Sequence, residues 1–228
     1  MQDLIQKWGL DKDMEISKFR FNQGFNMLNA DRYLKNLFNS HEFRAAMPNW
    51  ASKFATNVES VQFDKMSIEV VNMGFFDLLP ENDITTDNGY IKKEPDELLD
   101  GLQLSDRLRY ALAFEESEYY EVFDDQMRKE FIFNVFKHLV LGGGVCQYED
   151  YVNEYLTQTQ LLYKDLVTVF KDSETNDIRV GSHVLKITKI DDEDLFKDPD
   201  HPQNWMYVIV DPIHWHVNIW FNQWKSWW

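Results

Sequence analysis

Cysteine is almost absent from this 228-residue sequence, in which Cys146 is the only one. A single thiol cannot close an intrachain disulfide, and a metal ribbon needs at least two cysteine pairs. No run approaches the ~18 apolar residues of a membrane span, and the opening MQDLIQKWGLDKD lacks the apolar core of a secretory signal peptide. These absences predict a soluble protein of a reducing compartment, the cytoplasm, with no membrane partner.

Basic residues are also scarce. Lys and Arg number 23 against 39 Asp and Glu, which gives a net charge of −16, and no Lys/Arg-rich run interrupts the acidic excess. Such a surface repels a phosphate backbone, so nucleic acid is excluded as a partner. A basic protein partner is compatible with this charge.

Large apolar side chains are abundant. Hydrophobic residues make up 44% of the chain and aromatic residues 15%, including eight Trp and 17 Phe. This composition opposes disorder, and the length is sufficient for one well-buried core. We therefore expect a single domain over 1–228, with two loops that we expect to be flexible, at 79–100 and 191–203.

Helical periodicity appears in four places. NADRYLKNLF predicts a helix with Asn29 as N-cap, and LSDRLRYALAF predicts one capped by Ser105. DDQMRKEFIFNVFKHLVL is apolar on nearly every face, which predicts the central buried helix. The residues from Tyr148 to Leu156 form an amphipathic helical pattern.

Strand patterns dominate the end of the chain. A short strand is predicted from Met66 to Val71, and a period of two begins at Leu161. LLYKDLVTVFK and IRVGSHVLKITKI form a predicted hairpin, followed by WMYVIV and IHWHVNIWFNQW. Four successive strands favour an antiparallel meander. The predicted fold class is α+β, with helices packed against a mostly antiparallel sheet formed largely by C-terminal strands.

HLVLGGGVCQYED places three glycines between two helical patterns. A phosphate-binding loop requires Lys and Ser/Thr after its final glycine, but Val145 and Cys146 stand there. Glycine is common just past a helix C-terminus. We interpret the glycines as the end of the central helix.

Two arrangements leave an enzyme open as an alternative. Cys146, near a helix start, could act as a thiol nucleophile with His138 as base, although Glu149 and Asp150 disfavour a thiolate. His214 and His216 lie two apart on a predicted strand, a spacing that suits a metal, with Asp211 or His201 as further ligands.

For each arrangement we prefer a structural role over a catalytic or metal-binding one. A lone cysteine is usually a small buried hydrophobe. The two histidines and Asn218 form the more solvent-exposed face of a strand. Its core face carries Trp215, Val217, Ile219 and Phe221. No catalytic residue, metal site or cofactor is predicted.

The C-terminal WFNQWKSWW holds four tryptophans within nine residues. Exposed aromatic clusters mark protein contacts more often than other surfaces do, whereas the alternative is that they cover an open face of the sheet. The predicted contact residues here are Trp220, Trp224, Trp227 and Trp228.

EFIFNVFKHLVLGGGVCQYEDYVNEYL and its continuation LLYKDLVTV resemble the cilia- and flagella-associated protein 300 family. LSDRLRYAL, EESEYYEVF and YVIVDPI support the resemblance, which runs from about Trp8 to Ile219. Known relatives extend further at the N-terminus, and the Trp-rich tail is not characteristic of the family.

The resemblance implies a non-enzymatic factor for cytoplasmic assembly and ciliary transport of outer and inner axonemal dynein arms. Its implied partners are axonemal dynein chains, other dynein assembly factors and the intraflagellar transport machinery, in the cytoplasm and the cilium or flagellum. The alternative is a permanent structural component of the axoneme. Besides the tryptophans and the acidic loop from Asp191, we expect partners to contact the acidic face of the YEDYVNEYL helix: Glu149, Asp150, Asn153 and Glu154.

Overall fold

A computed structural model describes residues 2–52, 57–143, 149–174, 176 and 178–224. The helices in this part of the chain are α1 (Gln2–Lys7), α2 (Ala30–Asn39), α3 (His41–Ala46), α4 (Pro48–Ala51), α5 (Leu78–Glu81), α6 (Arg107–Ala113), α7 (Asp125–Arg128), α8 (Phe131–Leu141) and α9 (Val152–Leu166). The strands are β1 (Met14–Arg20), β2 (Val61–Lys65), β3 (Lys93–Leu99), β4 (Leu102–Asp106), β5 (Val169–Lys171), β6 (Ile178–Val180), β7 (His183–Ile190), β8 (Glu193–Asp194), β9 (Trp205–Asp211) and β10 (His216–Asn222).

One antiparallel sheet organises the molecule. Its strand order is β1-β10-β9-β7-β2, and β8 pairs with β7 outside this path. The three central strands come from the C-terminal part of the chain, and strands from the N-terminal part close both ends. The predicted fold class, α+β with a mostly antiparallel sheet formed largely by C-terminal strands, is confirmed.

Helices cover both faces of this sheet. Along β9 the side chains alternate, so that Met206 and Val208 pack with α2, α3 and α4 while Trp205 and Tyr207 pack with α6, α8 and α9. Every residue of β9 is buried. A strand covered on both faces carries large side chains throughout, because neither face meets water.

The central helix is confirmed, with a different start. α8 is apolar on most of its circumference, and nine of its eleven residues are buried. The predicted single helix from Asp124 is divided into α7 and α8, because Ser67 forms a backbone bridge to Glu130 between them. Ser67 and its neighbours are therefore extended against α8 and lie outside strand β2, which ends at Lys65 and replaces the strand predicted from Met66 to Val71.

The predicted change of period at Leu161 is wrong. α9 continues through Leu166, and Leu162, Tyr163 and Leu166 extend the buried helical stripe that begins at Val152. The hairpin that follows is short, since β5 and β6 pair over three residues each in a separate two-stranded sheet. The meander in the main sheet therefore has three strands, β7, β9 and β10.

Other boundaries shift by smaller amounts. Asp106, one residue after the predicted cap Ser105, caps α6 by accepting a hydrogen bond from the Arg109 amide. The segment 79–100 contains buried Ile84 and Ile91 as well as strand β3, so more of it is ordered structure than a surface loop implies. The segment 191–203 contains the two-residue strand β8.

Candidate functional site

Three glycines, Gly142 to Gly144, follow α8 in the sequence, and we call this segment the glycine corner. α8 ends at this corner, as the sequence predicts. Gly142 is the C-cap residue, and a Cβ at this position would lie 2.2 Å from the His138 carbonyl oxygen and 2.8 Å from the Trp205 ring. Glycine is required here because the helix packs too closely for any side chain. Gln203 Nε2 donates to the carbonyl oxygens of Leu141 (2.6 Å) and Gly143 (2.8 Å), so it satisfies acceptors that the helix end leaves free.

Glu149, predicted to face partners, is buried against the N-terminal helix. Its Oε1 accepts hydrogen bonds from Trp8 Nε1 at 2.8 Å and from Lys7 Nζ at 2.6 Å. Only 9% of Glu149 is exposed. The prediction that this carboxylate contacts a partner is corrected, because both of its donors belong to the chain itself.

A second buried ionic group lies beside Glu149. Arg109 pairs with Asp106, and its Nη2 donates to the Tyr155 hydroxyl at 3.1 Å. That hydroxyl in turn accepts a weak bond from the Glu149 amide at 3.4 Å. Burial opposes the charge of Arg109, but Asp106 and Tyr155 hold its pKa above the usual value. The network ties α6, α9 and the segment before α9 together.

The other predicted members of the acidic face remain at the surface. Asp150, Asn153 and Glu154 are exposed, and α9 begins at Val152, so Asp150 precedes the helix. Asp150 forms an ion pair with Lys93 at 3.3 Å. Gly89, at a φ of 83°, lies against the Asn153 side chain, so the segment before β3 covers part of this face.

His138, proposed as the base for Cys146, is a core residue. Its Nδ1 lies 3.1 Å from the Pro202 carbonyl oxygen, and its Nε2 lies 2.9 Å from the Tyr207 hydroxyl. Because a carbonyl can only accept, Nδ1 carries the proton and Nε2 accepts from Tyr207. Burial, with Lys137 and Lys186 nearby, keeps the pKa of His138 well below its usual range. Cys146 lies outside the described residues.

The two histidines of the metal hypothesis lie in different elements, since His216 is the first residue of β10 and His214 precedes it. His214 lies in the turn before β10, and its Nδ1 is 2.7 Å from Asp211 Oδ2. Burial opposes the Asp211 charge, but hydrogen bonds from Thr168 and His214 lower the pKa of Asp211 to about 2. Among the described residues, no group of three or more His, Cys, Asp or Glu side chains is arranged to hold a metal ion.

The predicted core residues Val217, Ile219 and Phe221 are buried, whereas the assignments of Trp215 and Asn218 are wrong. Trp215, assigned to the core, is 41% exposed and has a φ of 60°. Asn218, assigned to the more solvent-exposed face, is buried and donates to the Leu166 carbonyl oxygen at 2.6 Å. The sequence pattern describes the strand alone. In the structure α8 and α9 cover its second face, so a polar residue on that face is buried.

The tail tryptophans divide into separate environments. Trp220 has no exposed surface and packs between Trp205 and Tyr207, which corrects its assignment as a partner contact. Trp224 is half-buried and stacks on His201, with ring centres 4.1 Å apart. Trp227 and Trp228 lie outside the described residues. The alternative of covering the sheet therefore holds for Trp220.

Sequence reasoning missed the buried ionic groups. Lys7, Trp8, Asp106 and Arg109 are not close to Glu149 in the sequence, and no short motif joins them. The one available signal was that Asp106 precedes the α6 pattern, in the position of an N-cap. The contacts of Glu149 with Lys7 and Trp8 could be identified only once α1 and α9 were positioned in the fold.

Comparison with known proteins gives a consistent result. The family model described as cilia- and flagella-associated protein 300 matches residues 1–222. A Paramecium tetraurelia protein of that name is 37% identical over 226 residues, which is 99% of this chain and 88% of the relative. The Chlamydomonas reinhardtii protein of that name is 30% identical over 236 aligned positions, covering 98% and 91%.

No solved structure matches the chain. Within the described residues, no helix is both long enough and apolar enough to cross a membrane. The match covers the glycine corner, Glu149 with its partners Lys7 and Trp8, and every strand of the main sheet. This chain belongs to the cilia- and flagella-associated protein 300 family.

Proposed function

We propose that this protein is a non-enzymatic factor for cytoplasmic assembly and ciliary transport of outer and inner axonemal dynein arms. It acts by binding other proteins, namely dynein chains, dynein assembly factors or the intraflagellar transport machinery. The observation that carries the proposal is family membership over nearly the whole chain. Two relatives carry a name that associates them with cilia and flagella.

The placement of the ionisable groups supports a binding role. His138, considered as a base, and His214, considered as a metal ligand, are engaged by Tyr207 and Asp211 of the chain itself. The net charge of −16 leaves an acidic surface available to a basic partner. Attraction of this kind accelerates association and weakens as salt rises.

The test is affinity purification of the tagged protein from the cytoplasm of cells regrowing their cilia. We expect axonemal dynein chains or their assembly factors to co-purify, and cells lacking the protein to build axonemes without outer and inner arms. Stoichiometric retention in salt-extracted axonemes, with no cytoplasmic dynein complex, would instead identify a permanent structural component.

A further inference from the structure

A cavity opens between α6, the end of β3 and the segment after β8. It has a volume of about 380 Å³, enough to hold one large side chain. Its walls include Leu102 and Leu112, which are buried, and Phe114 and Tyr120, which are half-buried. These four side chains give the cavity an apolar part, beside the polar surface of its other walls.

Contacts behind the wall hold its shape. The Arg128 guanidinium carbon lies 3.4 Å from the centre of the Tyr120 ring. Arg128 Nη2 donates to the carbonyl oxygens of Ala111 and Tyr120, which joins α6 to the segment that carries the ring. A wall fixed in this way before binding reduces the entropy lost when a ligand enters.

Lys137 of α8 lines the same cavity. In the described part of the chain its amino group has no hydrogen bond and no ion pair, although the residue is half-buried. Burial and the charges of Arg128 and Lys186 lower the pKa of Lys137 to about 8, against the opposing effect of the Glu115 carboxylate. A partly buried donor without an acceptor is costly, so a ligand oxygen at this position is favoured.

The rim has the opposite charge. Four exposed carboxylates line the opening: Asp100, Glu115, Glu116 and Asp200. They come from three separate segments of the chain, so the fold gathers them around one opening. This arrangement complements cationic side chains that flank an inserted apolar group.

We propose that the cavity binds a short basic segment of a partner protein. One apolar side chain of the segment fills the cavity, a main-chain carbonyl accepts a hydrogen bond from Lys137, and flanking Lys or Arg side chains pair with the rim carboxylates. The inference rests on the proposed function and names the chemistry of its partner. It also moves the contact site from the α9 face to the cavity rim.

The direct test measures binding of a labelled peptide with blocked ends, Gly-Ser-Lys-Arg-Leu-Lys-Arg-Ser-Gly, by fluorescence anisotropy. We expect Ala113→Trp, which fills the cavity from its wall, to weaken binding about tenfold or more. The double variant Glu115→Lys/Glu116→Lys is expected to have an effect of about the same size. Replacing the central Leu of the peptide by Ser should also reduce the affinity.

The matched control is Asp150→Lys/Glu154→Lys, which makes the same charge change on the α9 face. We expect it to alter the affinity less than about threefold at physiological salt, because distant exposed charges are screened. Equal losses for the rim and α9 pairs would mean non-specific attraction and would overturn the proposal. Absence of binding to the unmodified protein would also overturn it.

Lys137→Met tests the interior contact, since it keeps the length of the side chain and removes the donor. We expect affinity to fall by about threefold; tighter binding would overturn the assigned hydrogen bond. Residues 225–228 follow Trp224, which approaches Gly101 beside the rim. If removing them raises the affinity for the peptide, the chain's own tail is the occupant and the partner proposal fails.

Two results separate this inference from the proposed function. If Ala113→Trp abolishes peptide binding while dynein chains still co-purify, the function stands and the cavity is not its contact site. If the peptide binds as expected but no dynein chain or assembly factor co-purifies from cytoplasm, the cavity stands and the proposed function fails. Circular dichroism of each variant confirms that the fold is intact.

Discussion

The two faces of the central sheet are built from different chemistry. The face under α2, α3 and α4 is almost wholly apolar, and Phe43, Val208 and Ile219 are representative of its packing. The face under α8 and α9 combines aromatic rings with hydrogen-bonded polar groups, such as His138 with Tyr207. The same sheet thus carries one core held by burial and another in which directional bonds are added.

The polar groups of the second face hold the ends of helices. Asn218 donates to the Leu166 carbonyl oxygen at the end of α9, and Gln203 donates to the Leu141 carbonyl oxygen at the end of α8. Apolar packing is non-directional and tolerates many arrangements of similar volume. Hydrogen bonds to helix ends specify where each helix stops, so this face determines the position of the glycine corner.

The largest expected effect tests the apolar face. Phe43→Ala removes a fully buried ring that packs edge-on against Phe38, with centres 4.7 Å apart. We expect the free energy of unfolding to fall by about 3–5 kcal/mol, because the lost burial is accompanied by a cavity. Urea denaturation measures the change, and a loss below about 1 kcal/mol would show that this layer contributes little.

A matched pair of hydroxyl deletions compares the faces directly. Tyr207→Phe leaves His138 Nε2 buried without its donor, so we expect a loss of about 1–3 kcal/mol. Tyr33→Phe makes the same change on the apolar face, where the Tyr33 hydroxyl has no hydrogen-bond partner in the described part of the chain. That variant should cost less than about 0.5 kcal/mol, and equal losses would contradict the comparison.

Acid should weaken the fold, chiefly through His138 on the polar face. The pKa of His138 is lowered by burial, so below about pH 6.5 the unfolded chain binds a proton that the folded chain does not. Stability therefore falls as pH decreases below 6.5, by at most about 1.4 kcal/mol per pH unit from this residue. The pKa values of His183 and His201 are also lowered, and they add to the loss in the same direction.

The measurement is the free energy of unfolding between pH 7.5 and pH 5. His138→Gln, which retains a donor and an acceptor, should make the decline less steep than in the unmodified protein. His41→Gln, at an exposed position of α3, is the control for the substitution itself. An unchanged slope in His138→Gln would show that this ring is not the source of the acid sensitivity.

The smallest expected effects separate two neighbouring carboxylates. Glu149→Gln weakens a buried bond from Trp8 and a part-buried bond from Lys7, so we expect a loss of about 1–2 kcal/mol. Asp150→Asn removes one exposed ion pair with Lys93 and should cost less than about 0.5 kcal/mol. Thermal unfolding of both variants tests this ranking, and a reversed order would place Asp150 in the structural network.

Sequence reasoning succeeded where a local pattern coincides with the tertiary environment. The central helix, its glycine end and the antiparallel C-terminal strands follow from runs of apolar residues and from the chemistry of glycine. It failed at Leu161, because LLYKDL satisfies both a helical stripe and a short alternation. Only packing of Leu162 and Leu166 against α8 selects the helix.

The candidate site was harder to predict than the fold. Exposure of Glu154 followed from helical periodicity, whereas Glu149 looks equivalent to it in the sequence. Its burial depends on Trp8, more than a hundred residues away along the chain. The cavity beside Lys137 gave no sequence signal, since its rim is assembled from three separated segments.

The sequence by itself determined the fold class, the acidic surface and the family, because composition, periodicity and long motifs are local or cumulative properties. The tertiary structure alone decided which polar groups became internal supports and which carboxylates surround the cavity. The physical reason is that burial and hydrogen bonding depend on distances between segments far apart in the chain. A side chain's role here depends on what the fold places beside it.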